Sequence, residues 1–397
     1  MLSQEQTQTV ASMPCERAWV EVNLRAIDHN IRQIRGLLSP GTQLMGVVKA
    51  DAYGHCARTV AQTILKVGAG WLGVATIPEG IELRKAGIEA PILILGATNT
   101  PEQIQALAAW QLQPTLCNPK QALVFSETLV SFQQSLPVHI KLDTGMSRLG
   151  MSWQEAPAFV QWVQSLPNLD LVSIYSHLAT ADSPDPTIMA QQHQRFAQAI
   201  AACGFHPCRH PSFPAPGEKP STPFFHLANS AGTLADPQLH YNLVRVGLAM
   251  YGIAPAPHLQ NIVNLKSALQ VRARVTQVKT IPAGAGVSYG HKFVAPREMQ
   301  IAIVGIGYAD GVPRNLSNQM KVLLRNQPVS QIGAITMDQL MLDVSAFPDL
   351  EVGEVVTLLG KQGNYQIHAD DWANQLGTIS WEILCGFKHR LPRVFLD

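Results

Sequence analysis

The stretch LMGVVKADAYGHCARTVAQTILKVGAGWLGVA, residues 44–75, sets the pattern of the N-terminal half of this chain. Two short apolar runs, at residues 44–48 and 71–75, enclose a segment at residues 56–67 whose apolar side chains recur three and four positions apart. The runs have the length of buried strands, and the segment has the period of an amphipathic helix. This stretch therefore predicts a strand, a helix and a second strand.

The same alternation continues to about residue 250. Further apolar runs lie at residues 91–95, 113–116, 138–142, 171–175, 224–227 and 242–246. Helix-length segments separate most of them, and Pro78, Pro101 and Pro119 stand where a first helical turn tolerates a missing N–H. Eight strands alternating with helices predict an α/β fold with an N-terminal (β/α)8 TIM-like barrel. A doubly wound open sheet is the alternative.

The pattern of apolar and turn-forming residues changes after about residue 260. Short apolar runs follow one another closely there, with Gly, Asn and Pro between them and few helix-length segments. This pattern indicates a mostly-β domain. We therefore expect a polar N-terminal extension at residues 1–16, a barrel at residues 17–260 and a C-terminal β domain at residues 261–397.

The composition excludes several classes of protein. The 397 residues are 46% apolar and include 29 basic and 28 acidic side chains, a balance that gives no support to a nucleic-acid-binding surface. No apolar run is long enough to span a membrane, and the first residues lack the pattern of a signal peptide. Six scattered cysteines form no disulfide framework, which favours a cytoplasmic protein with reduced thiols.

Polar residues gather where the predicted strands end. They are Lys49, Arg148, His177, Asn229, Ser230 and Arg245. The carboxyl ends of barrel strands carry the active site in such enzymes, and the loops after the seventh and eighth strands often bind phosphate. Each residue has an ordinary explanation by itself: a surface charge, a core histidine, a helix cap or an ion-pair donor. Together, a lysine, an arginine and a phosphate site indicate pyridoxal 5′-phosphate, PLP, held covalently by a lysine.

The motifs around these residues resemble those of the alanine racemases, in family order from about residue 17 to the C-terminus. They are Val47-Val-Lys49-Ala-Asp-Ala-Tyr53-Gly-His, Lys141-Leu-Asp-Thr-Gly-Met-Ser-Arg148, His177-Leu-Ala-Thr-Ala-Asp, His226-Leu-Ala-Asn-Ser230, Arg245-Val-Gly-Leu-Ala-Met-Tyr-Gly, Val287-Ser-Tyr289-Gly, Gly307-Tyr308-Ala-Asp-Gly and Met337-Asp-Gln. The resemblance implies an isomerase that uses PLP to interconvert L-alanine and D-alanine, supplying D-alanine for peptidoglycan. It also implies a head-to-tail homodimer with shared active sites.

The same resemblance implies a role for each residue. Lys49 would hold PLP and act as the base for D-alanine, while Tyr289 of the partner subunit would be the base for L-alanine. His177 would assist Tyr289 and connect it to Arg245, whose guanidinium has only donors and would leave the pyridine nitrogen unprotonated. Arg148 and the backbone N–H of the partner's Met337 would bind the substrate carboxylate, and Tyr308 of the partner subunit would narrow the entrance.

The remaining expectations concern the phosphate and two unusual positions. By the same resemblance, Tyr53, Ser230 and the backbone N–H groups of Gly247 and Leu248 are expected to hold the phosphate, and Asn229 is a further residue expected to bind the cofactor. Trp381 stands where family members generally have a tyrosine that reaches the phosphate, and we expect that direct contact to be lost. Lys141 would point into the barrel beside Arg148, and two unpaired buried cations are costly. The resemblance implies that Lys141 is a candidate for conversion to a carbamate, which some family members lack.

Other interpretations remain open at this stage. A racemase of broader specificity, acting on serine, has the same fold, and a non-catalytic PLP-binding protein would be a single barrel without the β domain. A decarboxylase of this fold would need an acidic residue in place of Arg245. We expect no metal, because Cys203, His206, Cys208 and His210, around the proline-rich insertion at residues 204–222, have the spacing of no closed zinc site.

Overall fold

The computed structural model of the protein describes residues 16–206 and 222–397. Residues 1–15 of the expected N-terminal extension and most of the proline-rich insertion, with Cys208 and His210, lie outside these residues. The chain divides into two compact units. The barrel unit contains Ala26–Ala52 and Ala57–Lys266, and the C-terminal unit contains Tyr53–Cys56, Ser267–Asp397 and the chain up to Arg25.

The barrel unit contains eight parallel strands in a near-closed ring. They are β2 Gln43–Val47, β3 Trp71–Val74, β4 Ile92–Ala97, β5 Gln113–Leu116, β6 Leu136–Asp143, β8 Leu169–Tyr175, β9 Phe224–His226 and β10 Leu243–Val246, with a two-residue strand β7, Met151–Ser152, beside β6. They pair in the order β10-β2-β3-β4-β5-β6-β8-β9, and the N–H of Asn242 donates to the carbonyl of Phe225, 3.0 Å away, between the two ends of that order. The predicted barrel is confirmed.

Helices alternate with these strands. They are α1 Leu24–Leu37, α2 Lys49–Gly54, α3 Ala57–Lys66, α4 Ile77–Lys85, α5 Pro101–Ala109, α6 Pro119–Ser131, α7 Ala156–Ser165, α8 Thr187–Ala202 and α9 Ser230–Ala235. Pro101 and Pro119 are the first residues of their helices, and the preceding Thr100 and Asn118 accept hydrogen bonds from N–H groups of the first turn. Local sequence therefore determines where these helices begin.

The barrel interior contains apolar side chains from six of the eight strands. A buried cluster contains Met45, Trp71, Leu93, Val172, Tyr175, Phe224 and Leu243. Residues from opposite sides of a barrel can meet only in its interior, so these side chains form a packed core there.

The C-terminal unit is built on a nine-stranded sheet. Its strands are β1 Ala18–Asn23, β11 Leu269–Ile281, β14 Met299–Val304, β15 Lys321–Leu324, β16 Gln327–Ile332, β17 Leu340–Asp343, β18 Val355–Gln362, β19 Tyr365–Ile367 and β20 Arg393–Leu396. A small hairpin of β12, Gly286–Val287, and β13, Phe293–Val294, and two helices, α10 Ala369–Leu376 and α11 Ser380–Gly386, complete the unit. Because β18 pairs with β11 as well as β15, six of the strands close into a ring.

The first strand of the chain belongs to this C-terminal sheet. β1 pairs antiparallel with β11 and parallel with β20. The two partners lie more than 240 residues further along the chain, and the sequence around β1 contains no signal for either pairing. Among the described residues, no helix is both long enough and apolar enough to cross a membrane.

Candidate active site

The carboxyl ends of the barrel strands bring together most of the residues that the sequence selected. Lys49 follows β2, Arg148 follows β6 and His177 follows β8. Ser230 follows β9, and Arg245 lies within β10 one residue before its end. Since the strands are parallel, these positions lie at one end of the barrel, where the βα loops of such enzymes form the active site.

The backbone after Lys49 has an uncommon conformation. The φ angles of Ala50, Asp51, Ala52 and Tyr53 all lie between 51° and 54°, so this short helix is left-handed. The left-handed form costs L-residues roughly 1–2 kcal/mol each. Strain of this kind is kept where the surrounding structure enforces it, and it is common at functional sites.

Glu79, on α4, holds this strained segment, and sequence reasoning missed it. One carboxylate oxygen accepts from the N–H of Ala50, at 2.8 Å, and the other from the N–H groups of Ala75 and Thr76, at 2.7 and 3.0 Å. The carboxylate thus ties the residue after Lys49 to the loop after β3. Its only sequence signal is the capping pattern Thr76-x-x-Glu79, which predicts a helix start and no role at Lys49.

Arg245 is buried, and both of its terminal nitrogens donate hydrogen bonds to nearby acceptors. Its Nη2 donates to Nδ1 of His177, at 3.1 Å, and to the carbonyl of Ser176, at 2.7 Å, while Nη1 donates to Nδ1 of His226, at 3.0 Å. Within the described chain, no hydrogen bond uses its Nε–H. Burial lowers the pKa of Arg245 to about 10, so the guanidinium is charged at neutral pH. Arg245 therefore has one donor left for a ligand.

The contact with Arg245 determines the protonation state of His177. An arginine can only donate, so Nδ1 of His177 must accept and its proton resides on Nε2. Burial and the nearby charges of Arg245, Lys141 and Arg148 lower the pKa of His177 well below its usual value. His177 is thus a neutral imidazole whose Nε2–H can donate.

Lys141 is a second buried basic residue of this site, besides Arg245. Its side chain is only 6% exposed, and its Nζ lies 5.3 Å from the centre of the Tyr175 ring. Burial and the charges of Arg245 and Arg148 lower the pKa of Lys141 to about 8. The expectation that Lys141 and Arg148 are both buried is wrong, because Arg148 is exposed in the described chain. It follows the strand on a loop, while Lys141 lies within β6. The two residues still line one cavity, together with His177.

Ser230 and its neighbours form a set of donors that fits a phosphate. The Ser230 hydroxyl oxygen accepts from the N–H of Gly247, at 2.9 Å, which fixes the hydroxyl and leaves its own proton to donate. Asn229 caps α9 by accepting from the N–H of Gly232, at 3.0 Å, so the capping role is not taken by Ser230. In the described residues, the N–H of Leu248 donates to no protein acceptor. A hydroxyl and backbone N–H groups are the donors that phosphate requires.

Tyr53 and Trp381 lie in the C-terminal unit. Tyr53 is buried, and burial raises its pKa above the ordinary range of tyrosine. The following Gly54 has φ of 82° and packs so closely on α11 that a Cβ there would lie 2.8 Å from the carbonyl oxygen of Leu384. Trp381, on the same helix, is half-buried.

Three other selected residues form an exposed group in the C-terminal unit. Tyr289 is 72%, Tyr308 42% and Met337 53% exposed. Hydrogen bonds join their loops. The Ser288 hydroxyl donates to the carbonyl of Ala334, at 2.7 Å, and the N–H of Tyr308 donates to the carbonyl of Thr336, at 2.9 Å. Large apolar or aromatic side chains exposed together are typical of an interaction surface.

A barrel with a lysine after a strand, a phosphate-fitting donor set and an arginine with a free Nε–H suits a PLP-dependent enzyme. Residues 22–255 match the family described as alanine racemase, N-terminal domain, and residues 268–395 match alanine racemase, C-terminal domain. The chain therefore belongs to the alanine racemase family. It is an isomerase that uses PLP and interconverts L-alanine and D-alanine, as the motifs predicted.

Individual relatives agree with this assignment. The chain is 65% identical to an alanine racemase of a Nostoc species, with 99% of each chain covered. It is 60% identical to one from a Synechocystis species, covering 96% of this chain and 99% of the relative. A crystal structure of alanine racemase from Bartonella henselae with covalently bound pyridoxal phosphate has 28% identity and a TM-score of 0.83, with 96% of this chain and all of that chain covered.

Proposed function

We propose that this enzyme works as a head-to-tail homodimer in the cytoplasm, where it supplies D-alanine for peptidoglycan, and that each active site takes residues from both subunits. The barrel would contribute Lys49, Arg148, His177 and Arg245. Tyr308, Met337 and the base Tyr289 would come from the partner subunit. The exposure of these three residues supports this division, because a partner would bury them.

Two bases on opposite faces of the substrate would perform the reaction. Bound PLP withdraws electrons from the α-carbon, which makes its proton removable. Lys49 would take this proton from D-alanine, and Tyr289 of the partner subunit would take it from L-alanine. After one base has removed the proton from its face of the substrate, the other base would donate a proton to the opposite face. The exposed guanidinium of Arg148 and the backbone N–H of Met337 would hold the carboxylate between them.

The contact between Arg245 and His177 carries this proposal. Because Nδ1 of His177 accepts from Arg245 at 3.1 Å, its Nε2–H is free to donate to the oxygen of the partner's Tyr289. A hydrogen bond to the charged form of an acid favours that form, which tyrosine needs because its ordinary pKa is ~10. The Nε–H of Arg245 would donate to the pyridine nitrogen and give it no proton.

A mixed dimer tests the shared site. Lys49→Ala and Tyr289→Phe subunits, co-expressed with different affinity tags, should each form inactive homodimers. A dimer isolated through both tags should have about half of the wild-type activity, because one of its two sites combines an intact lysine with an intact tyrosine. A dimer of two doubly substituted subunits is the control, and an inactive mixed dimer would refute the proposal.

Lys141 should carry a carbamate. Its pKa of about 8 leaves more neutral amine than an exposed lysine has at neutral pH, and the neutral amine adds to CO2 with loss of one proton. The product is an anion that can pair with Arg148 across their shared cavity. With 13C-labelled bicarbonate, the protein should show a carbamate carbon signal that is absent from Lys141→Arg and retained in Lys321→Arg, an exposed control. A spectrum unchanged by Lys141→Arg would contradict this.

Trp381→Tyr should slow the release of PLP. The indole has one N–H at a different point from a tyrosine hydroxyl, so we expect Trp381 to make no direct phosphate contact. A hydrogen bond to a charged group stabilises by about 1.5–3 kcal/mol, so restoring it should slow release by roughly 10-fold or more. Release into a PLP-trapping solution measures this, with Trp381→Phe as the control that lacks a hydroxyl. Equal or faster release from the tyrosine variant would mean that the indole already binds the phosphate.

A further inference from the structure

A line of hydrogen-bonded polar side chains crosses the barrel interior behind Arg245. Nη1 of Arg245 contacts Nδ1 of His226, at 3.0 Å, and Nε2 of His226 contacts the hydroxyl of Ser173, at 2.9 Å. The same hydroxyl lies 2.6 Å from Nδ1 of His139, whose Nε2 lies 2.7 Å from Oε1 of Gln113. Five residues from five strands, β10, β9, β8, β6 and β5, thus form one continuous chain.

These groups lie in apolar surroundings. His139, Ser173 and His226 have no exposed surface, and the aromatic rings of Trp71, Tyr175 and Phe224 pack around them. The ring of His226 stacks on Tyr175 with centroids 4.6 Å apart. A buried polar group is costly unless it is hydrogen-bonded, and apolar side chains would fill this volume at lower cost. Packing alone therefore does not account for two imidazoles and a hydroxyl here.

The donors and acceptors of the chain have only one consistent direction. Arg245 can only donate, so Nδ1 of His226 accepts and its Nε2–H donates to Ser173. The hydroxyl of Ser173 then donates to Nδ1 of His139, whose Nε2–H donates onward. Gln113 presents its carbonyl oxygen there, which is the acceptor that this direction requires. Burial lowers the pKa of His139 to about 3 and that of His226 well below its usual value, so both imidazoles are neutral.

We propose that Ser173, His139 and Gln113 are positioning residues for the racemase, which act through His226 to hold the guanidinium of Arg245 in place. The chain fixes the ring of His226 at both nitrogens, so the ring cannot turn without losing a buried hydrogen bond. Arg245 keeps a fixed acceptor on Nη1 in consequence, and its Nε–H keeps one direction. This inference rests on the role that the proposed function gives to Arg245.

Ser173→Ala tests the inference, because it removes the central hydroxyl and leaves both imidazoles. We expect kcat to fall roughly 10-fold and PLP release to accelerate, with little change in KM for alanine because Arg148 is untouched. Ser173→Thr, which restores a hydroxyl, should recover most of kcat. The matched control is Ser126→Ala, which removes another buried serine hydroxyl. This hydroxyl donates to the carbonyl of Pro167 and takes no part in the line of hydrogen bonds from Arg245 to Gln113.

A second measurement needs no activity. In 15N-histidine NMR spectra, His139 and His226 should both give the signals of the neutral Nε2–H form, and Ser173→Ala should shift them while Ser126→Ala should not. If Ser173→Ala does not fold, Gln113→Leu, at the end of the hydrogen-bonded line farthest from Arg245, should also lower kcat, but by less.

Two outcomes would overturn the inference. The first is a Ser173→Ala enzyme, or in its place a Gln113→Leu enzyme, that loses only thermal stability, as Ser126→Ala would, with kcat, PLP release and the histidine signals unchanged. Arg245→Gln separates this failure from a failure of the proposed function. A defective Arg245→Gln enzyme beside a normal Ser173→Ala enzyme would overturn only the positioning role of Ser173, His139 and Gln113. The second outcome is a normal Arg245→Gln enzyme, which would overturn both this inference and the proposed function.

Discussion

Replacing Lys49 by alanine should abolish both covalent retention of PLP and racemisation. One amine performs both tasks in the proposed mechanism, and general-base catalysis alone contributes about 10²–10⁴-fold. With the covalent attachment lost as well, the activity should fall below detection. Borohydride reduction followed by peptide mass spectrometry should find PLP on the Lys49 peptide of the wild type and on no peptide of the variant.

The control for this substitution is Lys361→Ala, at an exposed lysine of the C-terminal unit. It should retain both PLP and activity. The surroundings of Lys49 make the loss specific, because the strained segment after it and the Glu79 carboxylate place this one side chain at the end of β2. Covalent PLP in Lys49→Ala would disprove the assignment.

Tyr289→Phe should cripple removal of the α-proton from L-alanine. Loss of a general base lowers a proton-transfer rate by roughly 10²–10⁴-fold. Exchange of the α-proton of D-alanine, which depends on Lys49, should suffer much less. Overall racemisation must still fall in both directions by the same factor, since an enzyme cannot change the equilibrium constant. Exchange in D2O, followed for each enantiomer separately, measures the asymmetry.

Tyr308→Phe is the matched control, since Tyr308 is another exposed tyrosine in the same group of loops. Loss of the Tyr308 hydroxyl should alter the substrate entrance and change the α-proton exchange of both enantiomers equally. The two-base assignment fails if Tyr289→Phe slows exchange from L-alanine and D-alanine to the same extent.

The barrel and its active end were predictable from the sequence because they depend on local signals. Strands buried on both faces appear as short apolar runs, and parallel strands place their following residues at one end of the barrel. Lys49, Arg148, His177, Ser230 and Arg245 could be selected on that basis. The motifs then added the residues of the C-terminal unit, Tyr289 among them, which no strand pattern would have chosen.

Contacts between residues far apart in the sequence were decided only by the tertiary structure. The pairing of β1 with β11 and β20, the strained backbone after Lys49 and its anchor Glu79 have no local periodicity that would reveal them. The burial of Lys141 beside an exposed Arg148 is another such feature. The same holds for the chain from Gln113 to Arg245, since hydrogen bonds across a barrel join side chains whose spacing along the sequence is arbitrary. Apolar periodicity records which faces are buried, whereas the partners of buried polar groups are fixed only when distant strands meet.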